Sequence, residues 1–346
     1  MVLNIINGEQ RINGIQLTGR HAWPDALTNA ARAYAREPNA EKQETLKSEQ
    51  RKAAEGLVAL QHELGFSYVT EGGFALKDDF IPYIERLKGV EGGEGQINQQ
   101  PGTRNQYYFR PFVTGKLHAD GEVYSDYTLT DAIPRTYKRK LILPSPLSLA
   151  LASESSAYSS RINLLYDFAE VQKKEIERFS EHYDSIHLNE GFATDERFAG
   201  NVNTDLLSAF KSNLDKIFRG RSIRSAVHFY AGDARRLIPW VLDSKVTDIG
   251  FDFNTDLTRI GEHLDKNLIL GLQNITRKLP ENLLAEEPKR LAIRTNEVLD
   301  KLKIADGVEI FLGQSQGSDG LQTYPQAVRR DESLSKAFRI LTGDIR

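Results

Sequence analysis

Eight short apolar runs recur along this chain of 346 residues, and segments with helical spacing separate them. Each run has the length of a buried strand. Strands that alternate with helices favour a parallel sheet, because parallel neighbours need a crossover of helical length. The eight runs are GIQLTG (14–19), FSYVTEG (66–72), KLILPS (140–145), SIHLNE (185–190), SAVHFY (225–230), VTDIGFDF (246–253), NLILGLQN (267–274) and GVEIFLGQ (307–314).

The segments between the runs read as amphipathic helices. In 161–183, for example, Leu165, Phe168 and Val171 fall on one side of a 3.6-residue period. Eight strand–helix units predict a (β/α)8 TIM barrel, and the alternative is an open doubly wound sheet. No glycine-rich dinucleotide turn follows an early strand, which favours the barrel. Further helices are predicted over 40–64, 203–218, 233–243, 281–302 and 325–341.

Two segments exceed a minimal barrel. Residues 24–64 predict an extra N-terminal helical segment with two helices, and 73–139 form an insertion after the second strand. Within the insertion, 105–117 alternates like a hairpin strand, and the glycine-rich stretch 89–106 predicts a mobile loop. Insertions after barrel strands lie at the active-site face, so we expect a lid. No internal repeat is evident, and 1–346 reads as a single domain.

Composition excludes several classes of protein. Forty-five Lys and Arg residues against 48 Asp and Glu give a net charge of −3, so nucleic acid is not an expected partner. The chain has no cysteine, which excludes disulfides, thiolate nucleophiles, thiolate metal ligands and iron–sulfur clusters. No apolar run reaches the roughly 20 residues of a membrane span, and no secretory leader is recognisable. We therefore expect a cytoplasmic protein that binds no membrane.

Function in a barrel is expected at the carboxyl ends of the strands. The alternation of strand residues places His187 and Asn189 on one face of their strand, and it does the same for His228 and Tyr230. Burying so many polar groups is costly unless they bond to one another or to a ligand. Candidate residues at or after strand ends are Arg20, His21, Glu71, Ser145, Asn189, Glu190, His228, Tyr230, Asp252, Gln314 and Ser315, with Asp319 in the last loop.

The insertion adds candidates of its own. Arg104 and Arg110 carry guanidinium groups that pair well with a carboxylate, and surface ion pairs are the alternative role. The aromatic run 107–109 beside them suits either stacking on a planar ligand or packing within the hairpin.

Seven stretches, in the same order, resemble the catalytic C-terminal barrel of cobalamin-independent methionine synthase. Three carry the metal-site resemblance: VHFYAGD (227–233) resembles the family's His-x-Cys strand, DIGFD (248–252) the strand with a glutamate ligand, and SDGLQTYP (318–325) its Asp-Cys-Gly-Leu segment. The others are EGGFALKDDFIPYIERLKG (71–89), GTRNQYYFRPFVTGKL (102–117), LPSPLSLAL (143–151) and IHLNEGFA (186–193). They resemble the family's His-Gly-Glu, Gly-Ser-Arg, Gly-Pro-Val-Thr and Asp-Glu-Pro segments.

The departures from the family concern its zinc site. The resemblance implies His228, Tyr230, Asp252 and Asp319 at the ligand positions, with Ser318 as the alternative to Asp319, so oxygen donors replace both thiolates. The family's Asp-Glu-Pro reads here as Asn189, Glu190 and Gly191, and the glutamate of His-Gly-Glu is replaced by glycine or phenylalanine. Methionine synthesis by a zinc-bound thiolate is therefore not expected.

Three interpretations stay open. The first is a methyltransferase-like enzyme of one-carbon or sulfur amino-acid chemistry with a rebuilt site, whose His and carboxylate groups bind zinc, iron or manganese. The second is an accessory partner of another methyltransferase subunit that binds a folate or amino acid without a metal. The third is a barrel lyase or oxygenase that shares only the fold.

Each candidate residue has an expected role under the first interpretation. Glu190, Asn189 and Tyr230 are the catalytic candidates. The candidates for binding a small-molecule substrate are Arg20, His21, Glu71, Arg110, Ser145, Gln314 and Ser315. The metal candidates are His228, Asp252, Asp319 and His187.

Overall fold

The computed structural model describes residues 12–98, 107–274, 286–318 and 321–344, which belong to two compact units. The first unit comprises Met1–Ala75, Leu129–Arg139 and Leu257–Arg346. The second unit comprises Leu76–Thr128 and Lys140–Asp256. The prediction of a single domain over 1–346 stays a prediction.

Ten strands occur in the described ranges. In chain order they are β1 (Ile12–Gln16), β2 (Leu87–Asn98), β3 (Tyr107–Ala119), β4 (Lys140–Pro144), β5 (Glu154–Ser155), β6 (Ser185–Glu190), β7 (Arg224–Phe229), β8 (Asp248–Asp252), β9 (Asn267–Gln273) and β10 (Ile310–Gln314). Seven of the eight predicted runs thus contain a strand.

The described ranges also contain ten α-helices. They are α1 (Asp25–Arg36), α2 (Ala40–Glu63), α3 (Ile81–Arg86), α4 (Pro146–Ala152), α5 (Arg161–Phe179), α6 (Glu196–Ala199), α7 (Thr204–Phe218), α8 (Ile238–Leu242), α9 (Pro288–Leu299) and α10 (Tyr324–Thr342). None of them combines the length and the apolar character that crossing a membrane requires, as far as the described ranges extend.

Apart from the hairpin strands β2 and β3, the paired strands within each unit run parallel, as their helical crossovers require. In the first unit, β10 pairs with β1 on one side and with β9 on the other. In the second unit, β6 pairs with β4 and β7, and β7 pairs with β8. The α/β class is confirmed, and closure into a complete (β/α)8 barrel stays a prediction.

The prediction of a full strand over 66–72 is wrong. Only single parallel bridges form there, from Tyr68 to Gln16 and from Val69 to Arg139. The side chain of Gln61 on α2 accepts from the backbone N–H of Thr70 at 3.1 Å and donates to its carbonyl at 2.7 Å. Gln61 therefore occupies the backbone N–H and carbonyl of Thr70, which a continued strand would need for pairing with its neighbour.

The insertion forms the predicted hairpin. Strands β2 and β3 pair antiparallel, and β5 adds a short parallel pairing to β3. The prediction of a loop from residue 89 is wrong up to Asn98, because β3 supplies a ladder partner and register shifts absorb the glycines. Gly89 has φ of 78°, a conformation that favours glycine. Residues 99–106, including Arg104, lie outside the described residues, and the predicted lid stays a prediction.

Most predicted helices are confirmed with small changes in their ends. The segment 24–64 contains α1 and α2, and 325–341 corresponds to α10. The helix predicted over 233–243 is only the five-residue α8, because Pro239 lies in its first turn and has no N–H to extend a helix towards the N-terminus. Helix α9 begins at Pro288 rather than at 281, and residues 281–285 lie outside the described residues.

Candidate functional site

Residues that pair across β4, β6, β7 and β8 form successive levels on one face of the second unit, counted from the amino ends of the strands. At its lowest level, Lys140 pairs with Ser185, which pairs with Arg224. The next level contains Ile142, His187, Ala226 and Asp248, and the one above it contains Pro144, Asn189, His228 and Gly250. The predicted shared face of the polar residues is thereby confirmed for β6, β7 and β8.

Two histidines lie next to each other on this face. The ring centroids of His187 and His228 are 5.4 Å apart, the rings are inclined by 44°, and both residues are 0% exposed. Neither ring nitrogen of His187 has a well-aligned hydrogen-bond partner, although the side chain of Asn189 interacts with the ring. Burial lowers the pKa of His187 well below its usual value, and nearby Lys140 and His228 act in the same direction. Burial therefore favours the neutral form of the His187 imidazole.

Tyr230 follows β7 and covers the carboxyl end of this face. Its ring is nearly parallel to that of His228, at 20° with the centroids 6.5 Å apart. The hydroxyl of Thr194 donates to the carbonyl of Tyr230, and the backbone N–H of Tyr230 donates to the carbonyl of Glu190 at 3.3 Å. The next residue, Ala231, has φ of 73°, a strained conformation for a residue with a Cβ atom. The strained conformation of Ala231 thus follows Tyr230 directly and helps to fix the position of its ring.

Asp252 stabilises the turn that follows Tyr230. Its carboxylate accepts from the backbone N–H of Asn254 at 2.9 Å and from the side-chain amide of Asn254 at 2.6 Å. It also accepts a backbone hydrogen bond from Ala231. Burial raises its pKa to about 7. Both carboxylate oxygens therefore accept from N–H donors and each keeps a further lone pair, so the metal-ligand role of Asp252 stays a prediction.

Glu190, a catalytic candidate, lies in a buried network of hydroxyl groups. Ser145 caps the N-terminus of α4, and its hydroxyl donates to Glu190. The hydroxyl of Ser148 and the backbone N–H of Ala193 donate to the other carboxylate oxygen, each at 2.8 Å. Burial raises the pKa of Glu190 against the effect of these hydrogen bonds. The predicted Ser145 and Glu190 are thus brought together, in an arrangement that also holds α4 against β6.

Arg110, a substrate-binding candidate, is already paired within the second unit. Its guanidinium contacts the carboxylate of Glu154, and its Nε–H donates to the carbonyl of Ala152 at 3.0 Å. It therefore links β3 to the end of α4.

A charged cluster at the lowest levels of the same face was not predicted. The Nε–H of Arg224 donates to Asp248 at 2.5 Å, and both residues lie near the fully buried Lys140. Burial lowers the pKa of Lys140 to about 7. The signal in the sequence was Lys140, the first residue of the run 140–145, together with Asp248 in the run 246–253.

In the first unit, Arg20 and Glu71 are buried after β1 and after the 66–70 segment. The alkyl chain of Arg20 crosses Gly73, whose φ is 68° and where a Cβ atom would be 2.7 Å from Cγ of Arg20. Burial raises the pKa of Glu71 to about 7, and the hydroxyl of Thr70 lies 3.4 Å from its carboxylate. Their substrate-binding role stays a prediction.

His21, Gln314 and Ser315 lie in a second cluster of the first unit. The Nδ1 of His21 donates to the carbonyl of Ala22 at 3.0 Å, and its Nε2 is 3.3 Å from the carboxylate of Asp331. The amide of Gln314 donates to the same carboxylate at 2.5 Å. The backbone N–H of Ser315 donates to the carbonyl of Gln273 at 2.8 Å.

Asp331 was missed because it lies within the sequence of α10. Its position on the buried side of an amphipathic helix was the available signal. A fully buried aspartate on such a side requires a hydrogen-bonding partner.

The metal site implied by the resemblance is not assembled by the residues that the structure describes. No group of three or more His, Asp and Glu side chains in the described ranges could hold a metal ion. Asp319 lies outside these ranges, and the metal-ligand roles of His187, His228 and Asp252 stay predictions.

Comparison with known proteins gives a likeness of fold. No protein-family model and no curated protein matches the sequence. A B12-independent methionine synthase from Shewanella sp. W3-18-1, solved in complex with selenomethionine, superposes with a TM-score of 0.75 at 17% identity, over 96% of this chain and 98% of that one.

Two further solved structures agree. A putative vitamin-B12-independent methionine synthase from Listeria monocytogenes gives a TM-score of 0.67 at 14% identity, over 98% of this chain and 100% of that one. A methyltransferase from Methanosarcina mazei gives 0.57 at 12% identity, over 96% and 95%. The chain therefore has the fold shared by B12-independent methionine synthase-like proteins and this methyltransferase.

Proposed function

We propose that this chain is a methyltransferase-like enzyme of one-carbon or sulfur amino-acid chemistry that acts on a small molecule. Its active site lies on the second unit, at the carboxyl ends of β6 and β7. The observation that carries the proposal is the buried pair His187 and His228 beneath the half-buried Tyr230. The fold likeness to methionine synthase-like and methyltransferase structures supports the reaction class. The predicted (β/α)8 barrel is part of the proposal, because strand ends form the active site in that fold.

We assign the roles of these residues from their level on the face of the sheet. Methyl transfer breaks the bond between the methyl group and the donor atom, which keeps the electron pair and takes up a proton, and forms a new bond to the acceptor, so an acceptor that carries a proton has to lose it. A histidine within reach of that proton can accept it as a general base. We assign this role to His228, which lies one level nearer the carboxyl ends than His187.

Tyr230 and Asn189 would bind and orient the ligand. The ring of Tyr230 is only partly buried, at the end of β7, and its position is fixed by the turn that follows. The side-chain oxygen of Asn189 is buried beside His187 and has no well-aligned donor in the protein, so it can accept from a donor on the ligand. An unsatisfied buried oxygen costs about 1–3 kcal/mol, which a bound N–H or O–H group would recover.

A methyl-transfer assay tests the proposal. The protein is incubated with methyltetrahydrofolate as donor and with a panel of amino-acid thiols and amines as acceptors, and methylated products are detected by mass spectrometry. The variants are His228→Gln and Tyr230→Phe, with His182→Gln as the matched control, because His182 is an exposed histidine of the same unit.

We expect one acceptor class to be methylated by the wild type and by the His182 variant. The His228 variant should be slower by at least about 100-fold, the usual contribution of a general base. The absence of a methylated product from every acceptor, or full activity of the His228 variant, would refute the proposal.

A further inference from the structure

We propose that His21 and Asp331 share one proton at neutral pH and thereby form a proton-dependent latch of the first unit. The latch joins the segment that follows β1, which carries His21, to helix α10, which carries Asp331. Under this proposal His21 acts on the fold rather than on a substrate. The inference does not depend on methyl transfer, because it follows from the hydrogen-bonding groups around one imidazole ring.

The first argument is that the His21 ring lies between two acceptors. Its Nδ1 is 3.0 Å from the carbonyl oxygen of Ala22, and its Nε2 is 3.3 Å from a carboxylate oxygen of Asp331. A neutral imidazole carries a hydrogen on only one nitrogen, so its other nitrogen would present a lone pair to an acceptor. The arrangement therefore requires one proton more than a neutral imidazole and an ionised carboxylate possess.

The second argument is burial. The side chains of His21 and Asp331 are both 0% exposed, so bulk water does not reach the contact between them. Nε2 of His21 and Oδ2 of Asp331 have no other hydrogen-bond partner among the described residues, whereas Oδ1 of Asp331 accepts from the amide of Gln314 at 2.5 Å. Two buried acceptors without a donor are costly, and a single proton between them satisfies both.

The third argument is the charge of the surroundings. Burial raises the pKa of Asp331, and Glu332 acts in the same direction, against the hydrogen bonds that Asp331 accepts. The ring of Tyr324 lies 5.3 Å from that of His21, and burial raises the pKa of its hydroxyl, so Tyr324 is uncharged at neutral pH. Phe74 covers the imidazole from another side. These neighbours oppose a bare carboxylate at Asp331 and favour retention of the proton.

The latch holds together two segments at the carboxyl ends of neighbouring strands. The backbone N–H of Ser318, after β10, donates to the carbonyl of Arg20, after β1, at 2.7 Å. Asp331 contacts both sides of this junction, through Gln314 at the end of β10 and through His21. Loss of the shared proton would therefore loosen both segments from α10.

A shared proton makes the stability of the fold depend on pH. In an unfolded chain, histidine ionises near about pH 6.5 and aspartate near about pH 3.9, so above about pH 6.5 neither group holds a proton. The folded pair still holds one proton in this range. The stability of the folded state therefore falls as the pH rises above about 6.5, and the equilibrium constant for unfolding increases about tenfold per pH unit until the folded pair releases its proton.

Asp331→Asn is the matched variant, because asparagine can make both contacts without the extra proton. Its side-chain oxygen can accept from Gln314, and its amide can donate to Nε2 of a neutral His21. His263→Gln replaces an exposed histidine of the same unit and serves as the control. Urea unfolding of the wild type and the two variants between about pH 6 and 9 measures the pH dependence.

We expect the wild type and the His263 variant to show the same fall in stability above about pH 6.5, and Asp331→Asn to lack the tenfold increase per pH unit that one proton contributes. At the upper end of the range, amide hydrogen exchange of residues 17–23 should be faster in the wild type than in Asp331→Asn. Equal pH dependence in these two proteins, or equal exchange, would overturn the proposal.

Nuclear magnetic resonance reads the proton directly in the wild type, so this result does not depend on the folding of a variant. Seven histidines have to be assigned. At neutral pH we expect hydrogens on both ring nitrogens of His21, or a hydrogen on Nδ1 together with a protonated carboxyl group at Asp331. A ring with its hydrogen on Nε2 alone, or a ring with its hydrogen on Nδ1 alone beside an ionised Asp331, would overturn the proposal.

Discussion

The ring of Tyr230 lies directly on Gly191, so closely that a Cβ atom on Gly191 would be 2.5 Å from Cζ of the ring. The sequence alone showed only that Gly191 stands where the resemblance implies proline, and Tyr230 where it implies cysteine. The structure shows that the two differences belong together. A large ring at 230 requires a residue without a side chain at 191.

Gly191→Ala should destabilise the second unit by displacing Tyr230. Forcing an extra carbon into a packed site usually costs about 1–3 kcal/mol. In Tyr230→Ala the same change at Gly191 should cost much less, with a coupling energy of about 1 kcal/mol or more. Urea unfolding of the two single variants and the double variant measures the coupling. If the two changes in the free energy of unfolding simply add, the ring of Tyr230 moves away from the methyl group added at residue 191 at no energetic cost.

Glu71→Gln should change how stability depends on pH. The pKa of Glu71 is raised from 4.5 to about 7 by burial, so between these values the unfolded chain ionises this group while the folded chain keeps it protonated. The free energy of unfolding contributed by Glu71 therefore falls as pH rises from about 4.5 to 7 and is constant above that range.

The glutamine variant should become the more stable protein above pH 7, by up to about 3 kcal/mol, with a difference that vanishes near pH 4. Urea unfolding at several pH values measures it, with the exposed Glu63→Gln as the control. A difference that does not change with pH would contradict the raised pKa.

Asp248→Asn should be strongly destabilising. It leaves Arg224 and the fully buried Lys140 without their common carboxylate, and breaking a buried ion pair by removing one partner costs about 3–5 kcal/mol. The double variant Asp248→Asn with Lys140→Met should recover part of this loss, because one buried cation is removed with the anion. Thermal unfolding of both variants gives the comparison, and a double variant no more stable than Asp248→Asn would show that Lys140 does not depend on Asp248.

Glu190→Gln should cost more stability than Ser148→Ala. The serine change removes one hydroxyl donor at about 1 kcal/mol, whereas the amide presents donor hydrogens to groups that are themselves donors. We expect about 2–3 kcal/mol for Glu190→Gln in urea unfolding. Equal costs would contradict the expectation that both oxygens of Glu190 have to accept hydrogen bonds.

The sequence by itself determined the parallel strands and the hairpin. Periodicity is a local property, so the apolar runs located β4 and β6 to within one or two residues and predicted α5 and α7 almost to their ends. It also determined which residues share a face, because side chains alternate along any strand. That rule correctly placed His187 with Asn189, and the ring of Tyr230, just beyond the strand, lies near that of His228 as expected.

Tertiary structure decided which of those residues are available for chemistry. Asp252 was predicted as a metal ligand from its position, and only the structure shows that its carboxylate also accepts from Ala231, which follows a different strand. The 66–72 run read as a strand, but Gln61 of α2 takes the backbone groups of Thr70. Likewise, the pairing of His21 with Asp331 joins residues 310 positions apart. Such contacts depend on the register and packing of distant elements, which is why periodicity could place these side chains on a face but could not tell which of them were already bonded.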